Sequence, residues 1–194
     1  MNKQLIKKMI EKERVQLTKK EFFWHYSIVP FLLVIPLIDI FYDIKKNQSF
    51  MEIKYSYVLI LLAILMFYIQ RNRLQFRKIQ RFSSLDSFNV AVQKTANELN
   101  WFIDYKTSNF IRAHRKFDYK TGGSWGEMIT IIRVENTIFI NSICDPNGLF
   151  TSLLSYGYNK KNINQFILNL DRFSNLDRPD TQNDSGEILS VPAK

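Results

Sequence analysis

Two long apolar blocks before residue 71 constrain this chain more than any other feature. Residues 22–41 read FFWHYSIVPFLLVIPLIDIF, and the second block is centred on YSYVLILLAILMFYI within 51–70. A bilayer hydrocarbon core of about 30 Å takes about 20 helical residues to cross. A cleaved leader would have a shorter apolar core and small residues at its cleavage site. The pattern therefore predicts two spans, over residues 22–43 and 51–70. The short connection makes them an antiparallel hairpin. Pro30 and Pro36 each remove a backbone donor and permit a kink in the first span. Trp24, Tyr26 and Tyr42 stand where interfacial aromatic belts form. Glu52 and Lys54 are expected at the interface, where a lysine can snorkel. Asp39 and Asp43 reach the outer interface within about one helical turn, which favours an interface position over a proton path.

Charge supports the same reading. The chain carries a formal net charge of +9, and most of the excess flanks the apolar blocks. Seven Lys/Arg precede residue 22, five lie in 71–81, and only three lie in the connecting loop. The bias of basic residues toward the cytosolic side puts both termini in the cytosol and the short loop outside. A flanking distribution of this kind suits anionic lipid headgroups and not a nucleic-acid duplex. Arg71, Arg73, Arg77, Lys78 and Arg81 are expected to continue the second helix as a lipid-facing basic stalk over 71–83. Residues 1–21 form a basic amphipathic segment in which Leu5, Ile6, Met9, Ile10 and Val15 share one helical face. That segment reads either as a solvated leader or as a helix on the inner leaflet, with the leaflet favoured.

Beyond the stalk the composition is that of an ordinary soluble domain. Ser83 and Ser84 offer an N-cap for a helix whose stripe is Phe88, Val92, Ala96 and Leu99. Four strand-like runs follow: 101–105, 110–117, 127–134 and 137–144. Asn159 is a candidate cap for a last helix, 160–172, with Ile163, Phe166, Ile167 and Leu170 on one face. The order α-β-β-β-β-α over 84–172 predicts a small α+β domain, an antiparallel four-stranded sheet with both helices on one face. Residues 173–194 are polar and are expected to be disordered.

Catalytic signatures are sparse. His25 and His114 have no Cys, His or carboxylate at metal-ligand spacing. The lone cysteine, Cys144, reads as a small buried hydrophobe. No cofactor or metal is expected. Trp125 and Glu127, in the Ser124-Trp125-Gly126-Glu127 step, are candidate ligand contacts, with Trp125 alternatively capping the sheet core. Asn159, Lys160 and Lys161 are candidate anion contacts, because lysine charge and free helix N–H groups both favour a phosphate or headgroup.

The steps Leu99-Asn100-Trp101, Ile111-Arg112-Ala113, Ser124-Trp125-Gly126-Glu127, Asn141-Ser142-Ile143-Cys144-Asp145-Pro146 and Gly157-Tyr158-Asn159-Lys160-Lys161-Asn162-Ile163 together resemble a family of uncharacterised bacterial membrane-anchored domains. Asn100 and Tyr158 stand where that pattern has Gly and Lys. The resemblance covers 84–172 and implies a small cytosolic α+β domain beside spans in the inner (cytoplasmic) membrane. It implies no activity. The leading expectation is a non-enzymatic integral membrane protein whose cytosolic domain binds a protein, lipid or small ligand. Its partners would be the bilayer itself and either a second copy or another membrane protein, with no nucleic acid. A ligand-triggered membrane effector whose spans oligomerise to disrupt the membrane is the alternative. An enzyme using Glu127 or Cys144 ranks third.

Overall fold

A computed structural model of the protein describes residues 3–45, 54–81, 83–116, 126–147 and 157–176. In chain order these form α1 (Lys3–Lys12), α2 (Lys19–His25), α3 (Ile28–Lys45), α4 (Lys54–Arg73), β1 (Arg77–Gln80), α5 (Leu85–Leu99), β2 (Phe102–Lys106), β3 (Phe110–Arg115), β4 (Glu127–Val134), β5 (Thr137–Cys144) and α6 (Tyr158–Leu176). The last helix thus includes the first four residues of the expected disordered tail. The architecture is α+β, with an antiparallel five-stranded sheet in the order β1-β5-β4-β3-β2.

The fifth strand corrects the expected helical stalk. α4 stops at Arg73, and Arg77–Gln80 then pair with Ile140–Thr137 of β5 as an edge strand. In RKIQ only Ile79 faces the core, so the local pattern carries one apolar residue and no strand signature. The partner strand supplies the hydrogen bonds that make the segment extended, and that partner lies some 60 residues away in sequence.

Both faces of the sheet are covered, which corrects the expectation of helices on one face only. α5 and α6 pack on the first face through Phe88, Val92, Ala96, Phe166 and Leu170 against Ile111, Ile129, Ile131, Ile138 and Ile140. The alternate residues Phe110, Met128, Ile132, Phe139 and Ile143 pack against Met9, Val15, Tyr26, Leu74 and Phe76. A strand buried on both sides loses its alternation of apolar and polar residues, and β4 is accordingly buried without a break from Glu127 to Ile132, with Thr130 a polar residue inside the run. The amphipathic stripe of α1 is real, yet it faces the sheet and not a leaflet. Met9 is fully buried there, and Leu5, Ile6 and Ile10 pack around it.

The chain leaves α1 at Glu13, whose φ is +52°, and Arg14 bridges antiparallel to Gln75. Val15 N–H donates to the Leu74 carbonyl at 2.9 Å, and Phe76 N–H to the Glu13 carbonyl at 2.9 Å. The Asn141 side-chain amide donates to the Arg73 and Gln75 carbonyls at 2.8 and 2.7 Å. These bonds pin the end of α4 to the sheet. α5 is capped as expected by Ser84, whose hydroxyl accepts from Ser87 N–H, and it ends on Asn100 in the left-handed region. Asn tolerates that conformation better than other side chains, so it serves where a glycine is usual.

α3 and α4 lie side by side. His25 bonds Gln70, the Tyr26 and Phe67 rings stand 5.2 Å apart, and the Ser56 hydroxyl donates to Asp39 at 3.4 Å. Partner numbers on α4 fall from 70 to 56 as those on the α2–α3 segment rise from 25 to 39, so α4 runs antiparallel to that segment. By length and composition Tyr55–Arg73 is apolar enough to cross a membrane. α2 and α3 up to Tyr42 pass the same test only together, and they bend by 60° between His25 and Ile28. The first span expected over 22–43 is therefore two helices, and the bend falls ahead of Pro30 and Pro36, where the kink is expected. α2 starts earlier, with Thr18 and Glu21 forming a reciprocal capping box. Asp43, Glu52 and Lys54 have no described side-chain placement.

Candidate ligand site and membrane-side basic residues

Glu127, Ser142, Cys144 and the Tyr158–Asn162 turn meet at one end of the sheet, where β4 begins, β5 ends and α6 starts. β4 places Glu127 opposite Cys144 on β5 and opposite Arg115 on β3. The first-face phase of the pleat turns Glu127 and Arg115 toward α6. Glu127 is 0% exposed and accepts from Arg115 Nε at 2.6 Å and Nη2 at 3.4 Å. Two-point contact fixes both groups and balances their charges. The Arg115 guanidinium also lies over the Tyr158 ring, 4.1 Å from its centre. A relay follows: Trp101 Nε1–H donates to Asn162, the Asn162 amide to the Ser142 hydroxyl, and that hydroxyl to Asn159, at 3.0–3.1 Å each.

This arrangement revises the roles expected from sequence. Glu127 is no solvent-facing acid; its bonds to Arg115 hold it as a structural anion. Asn159 does not cap the helix but accepts from Ser142, and α6 begins two residues earlier than expected, at Tyr158 after Gly157 at φ +84°. Lys160 and Lys161 are exposed on the first turn, with Lys161 5.6 Å from the Tyr158 ring centre. Trp125 lies outside the described residues. Cys144 is buried as expected, and burial together with nearby Glu127 pushes its thiol up, which keeps it protonated and unreactive at neutral pH. His114 Nδ1–H donates to the Asp104 carboxylate at 2.7 Å, and the ring stacks on Phe102. Among the described residues no group of three or more His, Cys, Asp or Glu can hold a metal. Sequence reasoning missed Arg115, Tyr158 and Asn162; the signal for Arg115 was its phase with Ile111 and Ala113 on β3.

The basic residues expected to face lipid divide into two groups. Arg77 donates to Asn164, Lys78 pairs with Glu13, and Arg81 pairs with Asp171 at 3.2 Å, so all three are tied to the domain. Arg71 and Arg73 remain at the C-terminal end of α4. Arg71 lines a cleft of about 570 Å³ with Lys12, Arg14, Val15, Gln16, Leu17, Phe22, Tyr26, Phe67 and Leu74.

A second polar knot joins α2 to the other sheet face. The Glu21 carboxylate accepts from Arg112 Nη2 at 2.7 Å, from Thr18 N–H at 2.8 Å and from the Asn147 side-chain amide at 3.3 Å. Burial raises the Glu21 carboxyl, but these bonds and the Arg112 charge outweigh it and hold the carboxyl below its ordinary value of 4.5. A depressed carboxyl stabilises the fold above its unfolded value and loses that contribution as pH falls through its folded value. Thermal stability should therefore fall below about pH 4.5, and part of that fall should vanish in Glu21→Gln. Parallel pH profiles for the two proteins, from melts in detergent, would show that Glu21 contributes nothing.

No protein-family model matches the chain, and no curated protein matches it.

Proposed function

We propose that this chain is an integral membrane protein whose α3–α4 hairpin anchors a non-catalytic binding domain on the cytosolic side. One observation carries the reading. The sheet domain buries apolar residues on both faces, while the hairpin leaves them outside: Phe31 is 65% exposed, Phe41 72%, Leu61 66% and Ile64 60%. Water does not tolerate a contiguous apolar surface of this size on a monomer, but a bilayer does. α4 spans about 30 Å at about 1.5 Å per residue. α3 is a few ångströms shorter, a mismatch that local thinning of the bilayer absorbs. α2 then lies against the domain, as the Glu21–Arg112 pair indicates. The chain should stay in the membrane pellet after alkaline carbonate extraction. A cytosol-active reporter after Arg81 should work, and one near Asn47 should not. Release into the supernatant, or activity only near Asn47, would overturn the reading.

A ligand-triggered membrane effector is the second reading. Its support is the continuity between the hairpin base and the domain: Tyr26, Leu74 and Phe76 belong to the same core as Phe110, Phe139 and Ile143. A change at the sheet would reach the hairpin through packed side chains. Leakage of dye from vesicles carrying the protein separates the two readings.

A further inference from the structure

The cleft at the hairpin base combines three cations with an apolar wall. Its floor is the bridge of residues 13–15 to 74–76, and its walls come from α2 and the last turns of α4. Lys12, Arg14 and Arg71 line it, and no carboxylate does. Among the described residues none of these three cations has an ion-pair partner, whereas Lys78, Arg81 and Arg112 nearby each do. Apart from Gln16, the remaining wall is apolar: Val15, Leu17, Phe22, Tyr26, Phe67 and Leu74. Phe67 lies in the apolar part of α4 and Arg71 one turn further on, so the cleft straddles the boundary between the apolar and charged parts of that helix.

We propose that this cleft holds one anionic phospholipid, its phosphodiester on Lys12, Arg14 and Arg71 and an acyl chain along Phe22 and Phe67. The site rests on the membrane reading above and deepens it. Cations over an apolar wall that opens onto the outer surface of a span match an anionic headgroup with its tail. A free phosphate would use the cations but leave the aromatic wall wet. The geometry differs from a general basic surface, because the three cations come from two separate segments brought together only by the fold.

The test uses the full-length protein, delipidated in neutral detergent and titrated with dioleoyl phosphatidylglycerol, dioleoyl phosphatidylcholine or inorganic phosphate. Bound molecules are counted by native mass spectrometry. One phosphatidylglycerol should bind in clear preference to the other two. Lys12→Gln/Arg14→Gln/Arg71→Gln should weaken it about 100-fold, at about a factor of five per charge near an anionic headgroup. Lys3→Gln/Lys7→Gln/Lys8→Gln removes the same charge from exposed positions on α1 and should change binding less than about threefold. Arg14→Lys/Arg71→Lys should retain the lipid, which guards against misfolding of the triple variant. Equal losses in the two triple variants, or loss in the Lys-for-Arg variant, would overturn the site. Phosphate binding as well as the lipid would make it an anion site without lipid selectivity, which also overturns the proposal. Carbonate extraction of the same preparation reads the membrane assignment separately: a pelleted protein that shows no lipid preference refutes this site alone.

Discussion

Glu127→Ala should cost about 3–5 kcal/mol, because it leaves the buried Arg115 guanidinium without its carboxylate. The Arg115 side chain has only 9% of its surface exposed, so water cannot replace the lost partner. Stacking on Tyr158 compensates little, since a ring face does not replace the two hydrogen bonds of the carboxylate. Chemical denaturation in mild detergent, with equal slopes for the two proteins, gives the difference. Arg115→Met/Glu127→Leu should recover most of the loss, because a buried pair replaced by apolar groups of similar volume is often neutral or stabilising. A single substitution with no effect would mean the pair is solvated, and would return Glu127 to the list of ligand contacts.

Met9→Ala should cost about 2–5 kcal/mol, the range for truncating a fully buried methionine. The magnitude distinguishes the two settings of α1. Docked on the sheet, Met9 packs over the residues of the second core, including Phe110 and Met128, and its loss leaves a cavity. Lying on a leaflet, the same side chain would meet lipid tails that flow into the gap, and detergent-phase stability would barely change. Lys8→Ala on the exposed side of α1 is the control and should stay within about 0.5 kcal/mol. A Met9 effect no larger than the Lys8 effect would detach α1 from the domain. If α1 is docked, it also brings Lys12 and Arg14 to the hairpin base, so the lipid site and the second core stand or fall on the same placement.

The coupling of these parts follows from a small number of buried polar contacts. Asn141 holds the end of α4, and Glu21 holds α2 through Arg112. Both connect segments far apart in sequence, and both span the join between hairpin and sheet. An effector reading requires such a join to be stiff, and an anchor reading merely allows it.

The sequence by itself determined whatever depends on near neighbours. The apolar length of α4, the stripes of α5 and α6, the Ser84 cap and the β4–β5 hairpin are set by residues within a few positions of one another. The amphipathic face of α1 was legible for the same reason, since Leu5, Ile6, Met9 and Ile10 recur at helical spacing. Only the tertiary structure decided what that face meets, because an apolar stripe fits a leaflet and a sheet equally well. β1 was hidden because its strand character comes from pairing with β5 and not from its own four residues. The second core was hidden because burial on both faces erased the alternation that would have marked it. The Glu127–Arg115–Tyr158 cluster and the three-cation cleft each draw on segments separated by tens of residues. Their chemistry exists only once long-range pairing has closed the sheet and laid the N-terminal segment across it.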